Sequence, residues 1–468
     1  MIYDIAIIGA GSGGLSVAAA AAQFGQKVIL FEKGVMGGDC LNYGCVPSKA
    51  LIAAAKQAHA MRTSAKYGVA SVDPQVDFKR VHAYVHSVIA AIAPNDSVER
   101  FEKLGVKVVQ SAAKFHNARA IETGEGVFQA KRIVIATGSR ASIPKIPGLS
   151  DVPYFTNETI FDNKVLPKHL IIIGGGPNGM ELAQAHRRLG SDVTVIQASD
   201  VLPKDDPELT SIVVQSLRDD GVRMLAHTAI EKVSKTKSGF VVETKQHGIV
   251  KGSHLLVAAG RVANVEGLNL EAAGVVYTTR GVTVDKGLRS SQKHIYAIGD
   301  AAGGLQFTHV AGYHASLIIR NALFRLPVQN RSDIIPWVTY TDPELAHVGL
   351  TEAAARKQFG DTIKVIRSAF HDNDRAQAEG KTTGMVKAVI SKSGRILGVS
   401  IVGANAGELI HIWLLAINKG LKLQSIANLV MPYPTLGEIN RRVAVNYFSG
   451  LATNPHMRRV IKLLGFFG

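Results

Sequence analysis

Twice along this chain a glycine-rich turn directly follows a short apolar strand, and this repeated pattern constrains the fold more than any other feature. Residues 5–8 lead into GAGSGG at 9–14, and residues 170–173 lead into GGGPNG at 174–179. In each copy the pattern predicts a helix, over 15–24 in the first and over 180–189 in the second, and then a second apolar strand. Such a unit binds the pyrophosphate of a dinucleotide at the helix N-terminus, where N–H groups and the helix dipole favour negative charge. One copy is weak evidence, whereas two copies predict two dinucleotides.

The residue that ends the second strand of each unit is predicted to face the nucleotide sugar. Glu32 lies 23 residues after Gly9, and Gln197 lies 23 residues after Gly174. A carboxylate at this position accepts hydrogen bonds from ribose hydroxyls. The glycines provide a tight turn, close approach of the backbone to the pyrophosphate and close helix packing. The predicted nucleotide-binding glycines are Gly9, Gly11 and Gly14 in the first unit and Gly174, Gly176 and Gly179 in the second.

Two dinucleotides in one chain are most simply explained by electron transfer between a flavin and a nicotinamide nucleotide. The stretch HIYAIGDAAGG supports a flavin, since its strand runs into Asp300, whose carboxylate can meet a sugar or phosphate-linked hydroxyl. The first nucleotide domain is predicted to end with the apolar strand at 133–136 and the turn formed by Thr137, Gly138 and Ser139.

These units predict an α/β protein with two Rossmann-like dinucleotide-binding domains and a C-terminal α+β dimerisation domain. From about Ile335 onwards, strand-like stretches alternate with helices such as 406–418, and no further glycine-rich phosphate loop occurs. Pro144, Pro147 and Gly148 mark a break between the two nucleotide domains. The predicted boundaries are 1–148 for the first part of the flavin domain, 149–270 for the nicotinamide domain, 271–334 for the return to the flavin domain and 335–468 for the dimerisation domain.

Both cysteines of the chain, Cys40 and Cys45, lie in the stretch GDCLNYGCVPSK. In a reducing cytosol such a pair is more often catalytic or metal-binding than structural. Zinc would need four nitrogen or sulfur ligands, and no second Cys/His cluster accompanies the pair, so no metal site is predicted. Lys49 follows Cys45 by one helical turn, and a nearby cation or helix N-terminus lowers the pKa of a thiol. An ideal helix would turn the two cysteines apart by about 140°, so a disulfide between them requires a distorted turn, which Gly44 and Pro47 permit.

Net charge leaves several partners open. A net charge of +16 is compatible with an ordinary basic surface, anionic lipid, nucleic acid or phosphate-bearing cofactors. No run of Lys/Arg interleaved with aromatic residues favours a nucleic-acid groove, so no nucleic-acid partner is predicted. The opening MIYDIAIIGAGSGG lacks the basic region of a signal peptide, and no apolar run reaches about 18 residues. We therefore expect a cytoplasmic protein.

Together these motifs resemble those of the pyridine nucleotide-disulfide oxidoreductases, the flavoprotein family of dihydrolipoamide dehydrogenase, glutathione reductase and mercuric reductase. The resemblance runs in order along the whole chain, from the first glycine turn through CLNYGCVPSK, ATGS, GGGPNGMELA, AAGR, AIGDAAG and YTDPELAHVGLTE to YPTLGE. It implies FAD in the first domain, NADH or NADPH in the second, and a homodimer whose active site takes residues from both chains.

The resemblance also implies roles for individual residues. Cys45 would face the flavin as a charge-transfer thiolate, and Cys40 would be the interchange thiol that attacks the substrate. Lys49 would lie beside the flavin and pair with Glu181, so that electrons pass from nicotinamide to flavin to a Cys40–Cys45 disulfide. The remaining cofactor-site positions implied are Thr137, Gly138, Ser139, Gly260, Arg261, Asp300 and His309. For His309, a role as a buried, hydrogen-bonded histidine without contact to the flavin is an equal alternative.

One motif departs from the family pattern at the proton-transfer position. Disulfide-reducing members carry His-Pro-Thr-x-x-Glu, supplied by the partner chain, in which the histidine shuttles the proton of the interchange thiol. Here the stretch is YPTLGE, with Tyr433 in place of the histidine and Glu438 retained. Tyrosine titrates at about pH 10, so Tyr433 is a poor proton acceptor, and efficient lipoamide or glutathione exchange is doubtful. Alternatively, Tyr433 only packs at the dimer interface.

Further departures bear on the acceptor and the nicotinamide nucleotide. Mercuric reductases similarly carry a tyrosine here but also deliver the metal through a C-terminal cysteine pair; this sequence ends LLGFFG, so a full mercuric reductase is not expected. At the second nucleotide site, Gln197 is neither an acid nor part of an arginine cluster, and Pro177 replaces the aromatic residue that often gates the pocket. NADH is slightly favoured over NADPH.

We expect a homodimeric FAD enzyme that oxidises NAD(P)H and reduces a disulfide-like or other soft acceptor through its two cysteines, in the manner of dihydrolipoamide dehydrogenase. The alternative is a membrane-surface NAD(P)H:quinone or metal-ion reductase that acts from the flavin; a redox sensor or nucleic-acid-binding protein is less favoured. The final stretch HMRRVIKLLGFFG is basic and amphipathic. We favour its docking on the partner subunit over contact with an anionic membrane.

Overall fold

The computed structural model describes residues 1–237, 239–452 and 454–467 of the chain. They form two compact units, each assembled from two separate stretches of sequence. The first unit comprises Met1–Ala198 and Leu225–Ser332, and the second comprises Ser199–Met224 and Asp333–Gly468. The predicted domain boundaries are finer than this division and stay predictions.

The described ranges contain the following elements in chain order. The strands are β1 (Ile2–Ile8), β2 (Val28–Phe31), β3 (Val106–Val109), β4 (Lys114–Asn117), β5 (Ala120–Thr123), β6 (Gly126–Ile135), β7 (Ser139–Ala141), β8 (His169–Ile173), β9 (Asp192–Ile196), β10 (Arg223–Leu225), β11 (Ile230–Thr236), β12 (Gly239–Thr244), β13 (Gly248–Gly252), β14 (His254–Val257), β15 (Arg261–Ala263), β16 (Tyr277–Thr278), β17 (Gly281–Val282), β18 (Ile295–Ala297), β19 (Trp337–Thr339), β20 (Glu344–Gly349), β21 (Lys364–Ala369), β22 (Met385–Ile390) and β23 (Ile396–Gly403). The helices are α1 (Ser12–Gln23), α2 (Gly38–Asn42), α3 (Cys45–Arg62), α4 (Phe78–Ile92), α5 (Val98–Lys103), α6 (Pro177–Arg188), α7 (Pro207–Asp219), α8 (Thr308–Ala322), α9 (Glu352–Phe359), α10 (Asp374–Ala378), α11 (Ala406–Leu409), α12 (His411–Asn418), α13 (Leu423–Ala427), α14 (Glu438–Ala452) and α15 (Pro455–Leu464). None of these helices is both long and apolar enough to cross a bilayer.

A seven-stranded sheet with β1 near its centre forms the core of the first unit. Its strands lie in the order β3-β2-β1-β6-β5-β4, and β18 also pairs with β6. The pairs that involve β1, β2, β3 and β18 are parallel, whereas β4, β5 and β6 pair antiparallel. Parallel strands are covered on both faces, which explains why residues 5–8 and all of β2 are apolar and buried rather than alternating. The first glycine turn lies at the carboxyl end of β1.

A second parallel sheet in the same unit repeats this arrangement around β8. Its strand order is β10-β9-β8-β14, and β8 pairs in parallel with β9 and β14 as β1 does with β2 and β6. An antiparallel sheet, β11-β12-β13, precedes β14 in the chain. The second glycine turn follows β8 as the first follows β1. The internal repeat predicted from the sequence is therefore confirmed as two Rossmann-like units.

Both helices that follow the glycine turns begin earlier than the sequence pattern predicts. The pattern places their starts at 15 and 180, whereas α1 begins at Ser12 and α6 at Pro177. Proline is favoured in a first helical turn because its missing N–H would have no partner there. The predicted helix 406–418 is likewise divided, into α11 and α12.

Helices pack on a five-stranded antiparallel sheet in the second unit. The strand order is β19-β20-β23-β22-β21. The core includes the fully buried Trp413 of α12, whose indole N–H donates to Asn440 Oδ1 at 2.7 Å. This mixture of antiparallel strands and helices confirms the predicted α+β character of the last part of the chain.

Residues 199–224 belong to the second unit because α7 packs on its sheet. A buried cation also joins them to it. Lys387 of β22 is only 4% exposed, and its ammonium lies 2.8 Å from Asp206, 2.8 Å from Glu208 and 2.7 Å from Glu352. A buried charge is costly unless it is paired, and the three carboxylates compensate the desolvation of this ammonium.

Candidate active site

The two cysteines lie on two different helices. Cys40 lies in the short helix α2, and Cys45 is the first residue of α3. Tyr43 and Gly44 separate the helices, and a Cβ at Gly44 would lie 2.9 Å from Asp39 Oδ2, so only glycine fits without displacement. This break is the distortion that the spacing of the cysteines requires, and it allows Cys40 to turn back towards Cys45.

The two sulfur atoms share a hydrogen bond that makes them chemically different. The bond from the Cys40 thiol, the hydroxyl of Thr308 and the charge of Lys49 lower the pKa of Cys45 to about 6. The Thr308 hydroxyl lies 3.2 Å from Cys45 Sγ. The position of Cys45 at the N-terminus of α3 adds the positive end of the helix dipole. Conversely, the shared hydrogen bond and burial raise the pKa of Cys40 well above its ordinary value. When reduced, Cys45 is the thiolate and Cys40 the thiol at neutral pH.

An ion pair places a cation one turn behind Cys45. Lys49 Nζ lies 2.7 Å from Glu181 Oε2 and donates to Ser48 Oγ at 3.3 Å. Glu181 is 3% exposed, whereas the Lys49 side chain is about one-third exposed at 36%. The pair joins α3 to α6, the helix that follows the second glycine turn. The structure therefore brings Cys40, Cys45, Lys49 and Glu181 together.

Four glycines of the two turns are required by close backbone contacts. A Cβ at Gly9 (φ +107°) would lie 2.4 Å from the carbonyl oxygen that follows β6, and one at Gly174 (φ +119°) would lie 2.3 Å from the carbonyl oxygen that follows β14. A Cβ at Gly14 would lie 1.9 Å from the Gly9 oxygen, and one at Gly179 would lie 2.0 Å from the Gly174 oxygen. No side chain is compatible with these distances, which explains the matching glycine patterns.

The middle glycine of each turn leaves open space. A Cβ at Gly11 would approach only Gly38 Cα, at 4.0 Å, and a Cβ at Gly176 would meet nothing within 4 Å. Unobstructed backbone at the N-termini of α1 and α6 is what the pyrophosphate of a dinucleotide needs. The residues present therefore fit two dinucleotides, which the family resemblance assigns as FAD at the first turn and NAD(P)H at the second.

Glu32 and Gln197 occupy equivalent places at the two turns. Glu32 Oε2 accepts the Ala10 N–H at 2.7 Å, and Gln197 Oε1 accepts the Gly175 N–H at 2.8 Å. The other Glu32 oxygen accepts the Gly34 N–H at 2.7 Å. Each side chain therefore stabilises its own glycine turn, a role that the sequence pattern does not predict. A carboxylate has about four acceptor sites, so Glu32 retains capacity for ribose hydroxyls.

Asp300 belongs to a network of charged and polar side chains. Ser139 Oγ donates to Asp300 Oδ2 at 2.5 Å, and Arg261 Nε donates to Ser139 Oγ at 2.7 Å. The same guanidinium lies 3.2 Å from Asp39 Oδ1, next to Cys40 in the chain. Burial raises the pKa of Asp300. The pairing of β7 with β15 brings Ser139 and Arg261 together, close to α2, the helix that carries Asp39 and Cys40.

The turn after β6 is held by a reciprocal pair. Thr137 Oγ1 donates to the Asn264 carbonyl at 2.6 Å, and Asn264 Nδ2 donates to the Thr137 carbonyl at 3.0 Å. Gly138 (φ +68°) provides a positive φ angle in the turn after β6, and Gly260 (φ +123°) provides one between β14 and β15. The predicted cofactor-site positions on these turns thus share one part of the first unit.

Histidine 309 is exposed, so its alternative assignment as a buried histidine is wrong. Its ring stacks on Phe307 with centroids 5.3 Å apart, at the beginning of α8. The buried histidine of this helix is His314, which accepts the Gly299 N–H at 3.1 Å. His309 faces outward because it lies five positions before His314, about 140° around the helix axis from it.

Tyr433 and Glu438 lie in the second unit. The Tyr433 side chain is exposed, and its hydroxyl donates to Asp374 Oδ2 at 2.9 Å. This hydrogen bond raises the pKa of Tyr433 above its ordinary value, so the phenolate, which is the form that can accept a proton, is even less populated at neutral pH. Glu438 is the first residue of α14.

Sequence reasoning missed Thr308 and Asp39 as site residues. Thr308 lies in the stretch FTHVAGYHA, in which the family resemblance points only to His309. Its contact with Cys45 joins residues that are 263 positions apart in the sequence. Asp39 is directly adjacent to Cys40, and it contacts both Arg261 and Asn157. The adjacency to a reactive cysteine is the one signal in the sequence that points to Asp39.

Replacing Thr308 by valine should raise the pKa of Cys45 by about one unit, because a hydrogen bond to an ionised group contributes about 1.5–3 kcal/mol, partly recovered by water. The pKa is measured from the thiolate absorbance of the reduced protein as a function of pH, with a wild-type midpoint of about 6. Thr308→Ser keeps the hydroxyl and is the matched control. An unchanged midpoint in Thr308→Val would show that the hydroxyl does not stabilise the thiolate.

Comparison with known proteins agrees with this site. Residues 3–315 match the family model for pyridine nucleotide-disulphide oxidoreductases, and residues 335–444 match the model for the dimerisation domain of that family. The chain is 34% identical over 442 residues to a mercuric reductase of Bacillus cereus, which covers 93% of this chain and 70% of that protein. It is 31% identical over 450 residues to a dihydrolipoyl dehydrogenase of Bacillus subtilis (strain 168), with 93% and 96% covered.

Solved structures give the same result. The chain superimposes with a TM-score of 0.86 and 28% identity on the Cu(II) complex of the HOCl-induced flavoprotein disulfide reductase RclA from Escherichia coli, over 95% of this chain and 99% of that chain. The TM-score with LpdA from Mycobacterium tuberculosis is 0.88 at 26% identity, over 95% and 100%.

The matched ranges coincide with the parts that carry the site. The range 3–315 contains both glycine turns and the cysteine pair, and 335–444 contains the antiparallel sheet of the second unit. The match to a dimerisation domain supports a homodimer. The chain therefore belongs to the pyridine nucleotide-disulphide oxidoreductases, a family of FAD-containing enzymes that depend on NAD(P)H.

Proposed function

We propose that this protein oxidises NADH and reduces a small-molecule or protein disulfide, or a similar soft acceptor, through Cys40 and Cys45. The observation that carries the proposal is the difference between the two sulfur atoms. Cys45 is held as a thiolate by the hydrogen bond from Cys40, by Thr308 and by Lys49 at a helix N-terminus, while Cys40 is held as a thiol. An enzyme that passed electrons from the flavin directly to its acceptor would have no need of this difference.

The chemistry divides between the two sulfurs. When bound, FAD and the nicotinamide nucleotide would supply a hydride equivalent, and Cys40 and Cys45 would pass from a disulfide to one thiol and one thiolate. Cys45 keeps the negative charge, and the Lys49 ammonium stabilises it. Cys40 retains the proton and must lose it before it can attack.

Exchange with the acceptor then follows in two steps. The Cys40 thiolate attacks one sulfur of the acceptor disulfide, a mixed disulfide forms, and the first acceptor thiolate leaves and takes up the proton that Cys40 released. The Cys45 thiolate attacks the Cys40 sulfur, the protein disulfide forms again, and the second acceptor thiolate leaves and takes a proton from water. In sum, one NADH, one proton and one disulfide give NAD⁺ and two thiols.

The proposed nucleotide preference rests on Gln197. Its side chain is neutral, and its Oε1 accepts the N–H of Gly175 in the turn. A neutral amide supplies no cation for the 2′-phosphate of NADPH. We therefore favour NADH.

The proposed partners are a second copy of the chain and a disulfide-type acceptor, and the proposed location is the cytoplasm. In the dimer, the second copy would bring Tyr433 and Glu438 to the interchange thiol, as the family motif implies. A quinone or metal-ion reductase acting from the flavin is not favoured, because it leaves the paired thiols without a role.

Anaerobic titration of the purified holoprotein with NADH and then NADPH tests the proposal. The first equivalent of NADH should produce a long-wavelength absorbance from the thiolate–flavin pair, and this band should fade as the pH falls through about 6, since acid protonates Cys45. Lipoamide, glutathione disulfide, mercuric ion and quinones are then added in turn. Loss of the band with a disulfide or with mercuric ion supports the proposal; a band that only quinone discharges would overturn it.

A further inference from the structure

The last helix of the described chain, α15, has two chemically distinct faces. Met457, Val460, Ile461 and Leu464 recur at intervals of three and four residues and form one apolar face. Arg458 and Lys462 lie on the other side of the helix. We propose that α15 binds the surface of an anionic bilayer and holds the enzyme there as a peripheral protein.

The apolar face of α15 is largely exposed. Ile461 and Leu464 are 62% and 60% exposed, and Phe466 and Phe467, just beyond the helix, are 78% and 83% exposed. Apolar side chains grouped on one face in this way mark an interaction surface, whereas scattered ones do not. The helix is also capped from within the chain, because the Asn454 side chain accepts the N–H of His456 at 2.9 Å.

The charge on this part of the chain has a single sign. After Glu438 the sequence contains no Asp or Glu, whereas it contains Arg441, Arg442, Arg458, Arg459 and Lys462. Basic residues beside an apolar helix face are the features of helices that lie in the headgroup region of membranes. Each Lys or Arg near an anionic surface adds to the attraction.

A bilayer fits this surface better than a second copy of the chain. A second copy carries the same net charge of +16, so it offers no overall charge complementarity to a basic helix. The match to the family's dimerisation domain ends at residue 444, before α15 begins at Pro455. These two observations reverse the preference of the sequence analysis for docking on the partner subunit. The inference does not depend on which acceptor the enzyme reduces.

Binding by one such helix should be reversible and sensitive to salt. The apolar face is short, and attraction between basic side chains and headgroups is screened beyond about 8 Å at physiological ionic strength. A dimer presents two helices, so binding of the second becomes intramolecular and the dimer binds more tightly than one helix alone.

Co-sedimentation of the full-length holoprotein with lipid vesicles tests the inference. The probes are vesicles of phosphatidylcholine alone and vesicles of phosphatidylcholine mixed equally with phosphatidylglycerol. Binding should be seen with the mixed vesicles and released by salt. Replacing Arg458, Arg459 and Lys462 together by glutamine should weaken binding about a hundredfold, from the contribution of three basic residues near an anionic surface. Ile461→Glu with Leu464→Glu should also abolish binding, because it interrupts the apolar face.

A matched control separates the helix from the net charge. Lys79, Lys103 and Lys235 are exposed, and their joint replacement by glutamine changes the net charge equally, so that variant should bind mixed vesicles like the wild type. Equal losses in both triple variants would overturn the proposal, as would absence of binding to mixed vesicles at low salt. If the α15 variants instead change the mass of the protein in solution, the face contacts a second copy and the proposal is wrong. NADH oxidation in solution should not change in any of these variants.

Discussion

Replacing Cys40 by serine should lower turnover with disulfide acceptors by a factor of about 10⁴ or more, while electron transfer from NADH to a quinone stays within a few-fold of wild type. A serine hydroxyl forms no mixed disulfide, and loss of an enzyme's nucleophile commonly costs several powers of ten in kcat. The flavin reaction should persist because Cys40 lies on α2, whereas Lys49, Glu181 and both glycine turns are unchanged. Steady-state assays of one preparation with lipoamide and with a quinone measure both rates.

Cys45→Ser is the matched control for this experiment. It retains the Cys40 nucleophile but removes the sulfur that closes the protein disulfide, so the acceptor should remain attached to Cys40 after a single exchange. Mass spectrometry after incubation with glutathione disulfide should detect that mixed disulfide in Cys45→Ser and not in Cys40→Ser. If Cys40→Ser reduces lipoamide at the wild-type rate, the two cysteines are not the route of the electrons.

Replacing Tyr433 by histidine should raise kcat/KM for lipoamide at neutral pH by about a hundredfold, because a positioned general base contributes about 10²–10⁴. In the wild type the pKa of the Cys40 thiol is raised, so little of it is thiolate near neutral pH. The pKa of Tyr433 is raised as well, so Tyr433 cannot take the proton from Cys40. The Asp374 carboxylate, now 2.9 Å from the phenol, would be available to orient an imidazole.

The pH dependence should change with the rate. Below the pKa of Cys40 the thiolate fraction increases about tenfold per pH unit, so wild-type disulfide reduction should increase steadily from about pH 6 to about pH 9. In Tyr433→His the increase should level off above the pKa of the new histidine. Rates of lipoamide reduction across this range provide the measurement.

Tyr433→Phe separates the missing base from interface packing. It removes the hydrogen bond to Asp374 but adds no base, so its disulfide rate should stay near that of the wild type. If the histidine and phenylalanine variants behave alike, the missing base does not limit the exchange. A change in the mass of the dimer in either variant would instead indicate that Tyr433 packs at the interface.

Much of the fold is readable in the sequence because backbone sterics act locally. At Gly9 and Gly14, and again at Gly174 and Gly179, a Cβ would lie 2.4 Å or less from a carbonyl oxygen, so the turn requires glycine and leaves a recognisable pattern. The parallel strands leave a second local signal, since strands covered on both faces are continuously apolar. The two Rossmann-like units and the α+β segment could be predicted for these reasons.

Part of the candidate site could also be predicted from a short stretch of sequence. The spacing of Cys40 and Cys45 requires a broken helix, and Gly44 is the residue that permits it. The start of α6 is not determined by the local sequence, because a proline such as the one at its first position also occurs in the turn before a helix.

Only the tertiary structure decided which distant residues meet. Thr308 contacts the sulfur of a residue 263 positions away, Arg261 reaches Asp39, and residues 199–224 pack with the second unit. The amino-acid sequence by itself determined where the chain turns and which strands are buried, since a turn depends on atoms a few residues apart. Contacts such as Thr308 with Cys45 depend on how whole helices pack against a sheet, and no short stretch of sequence contains that information.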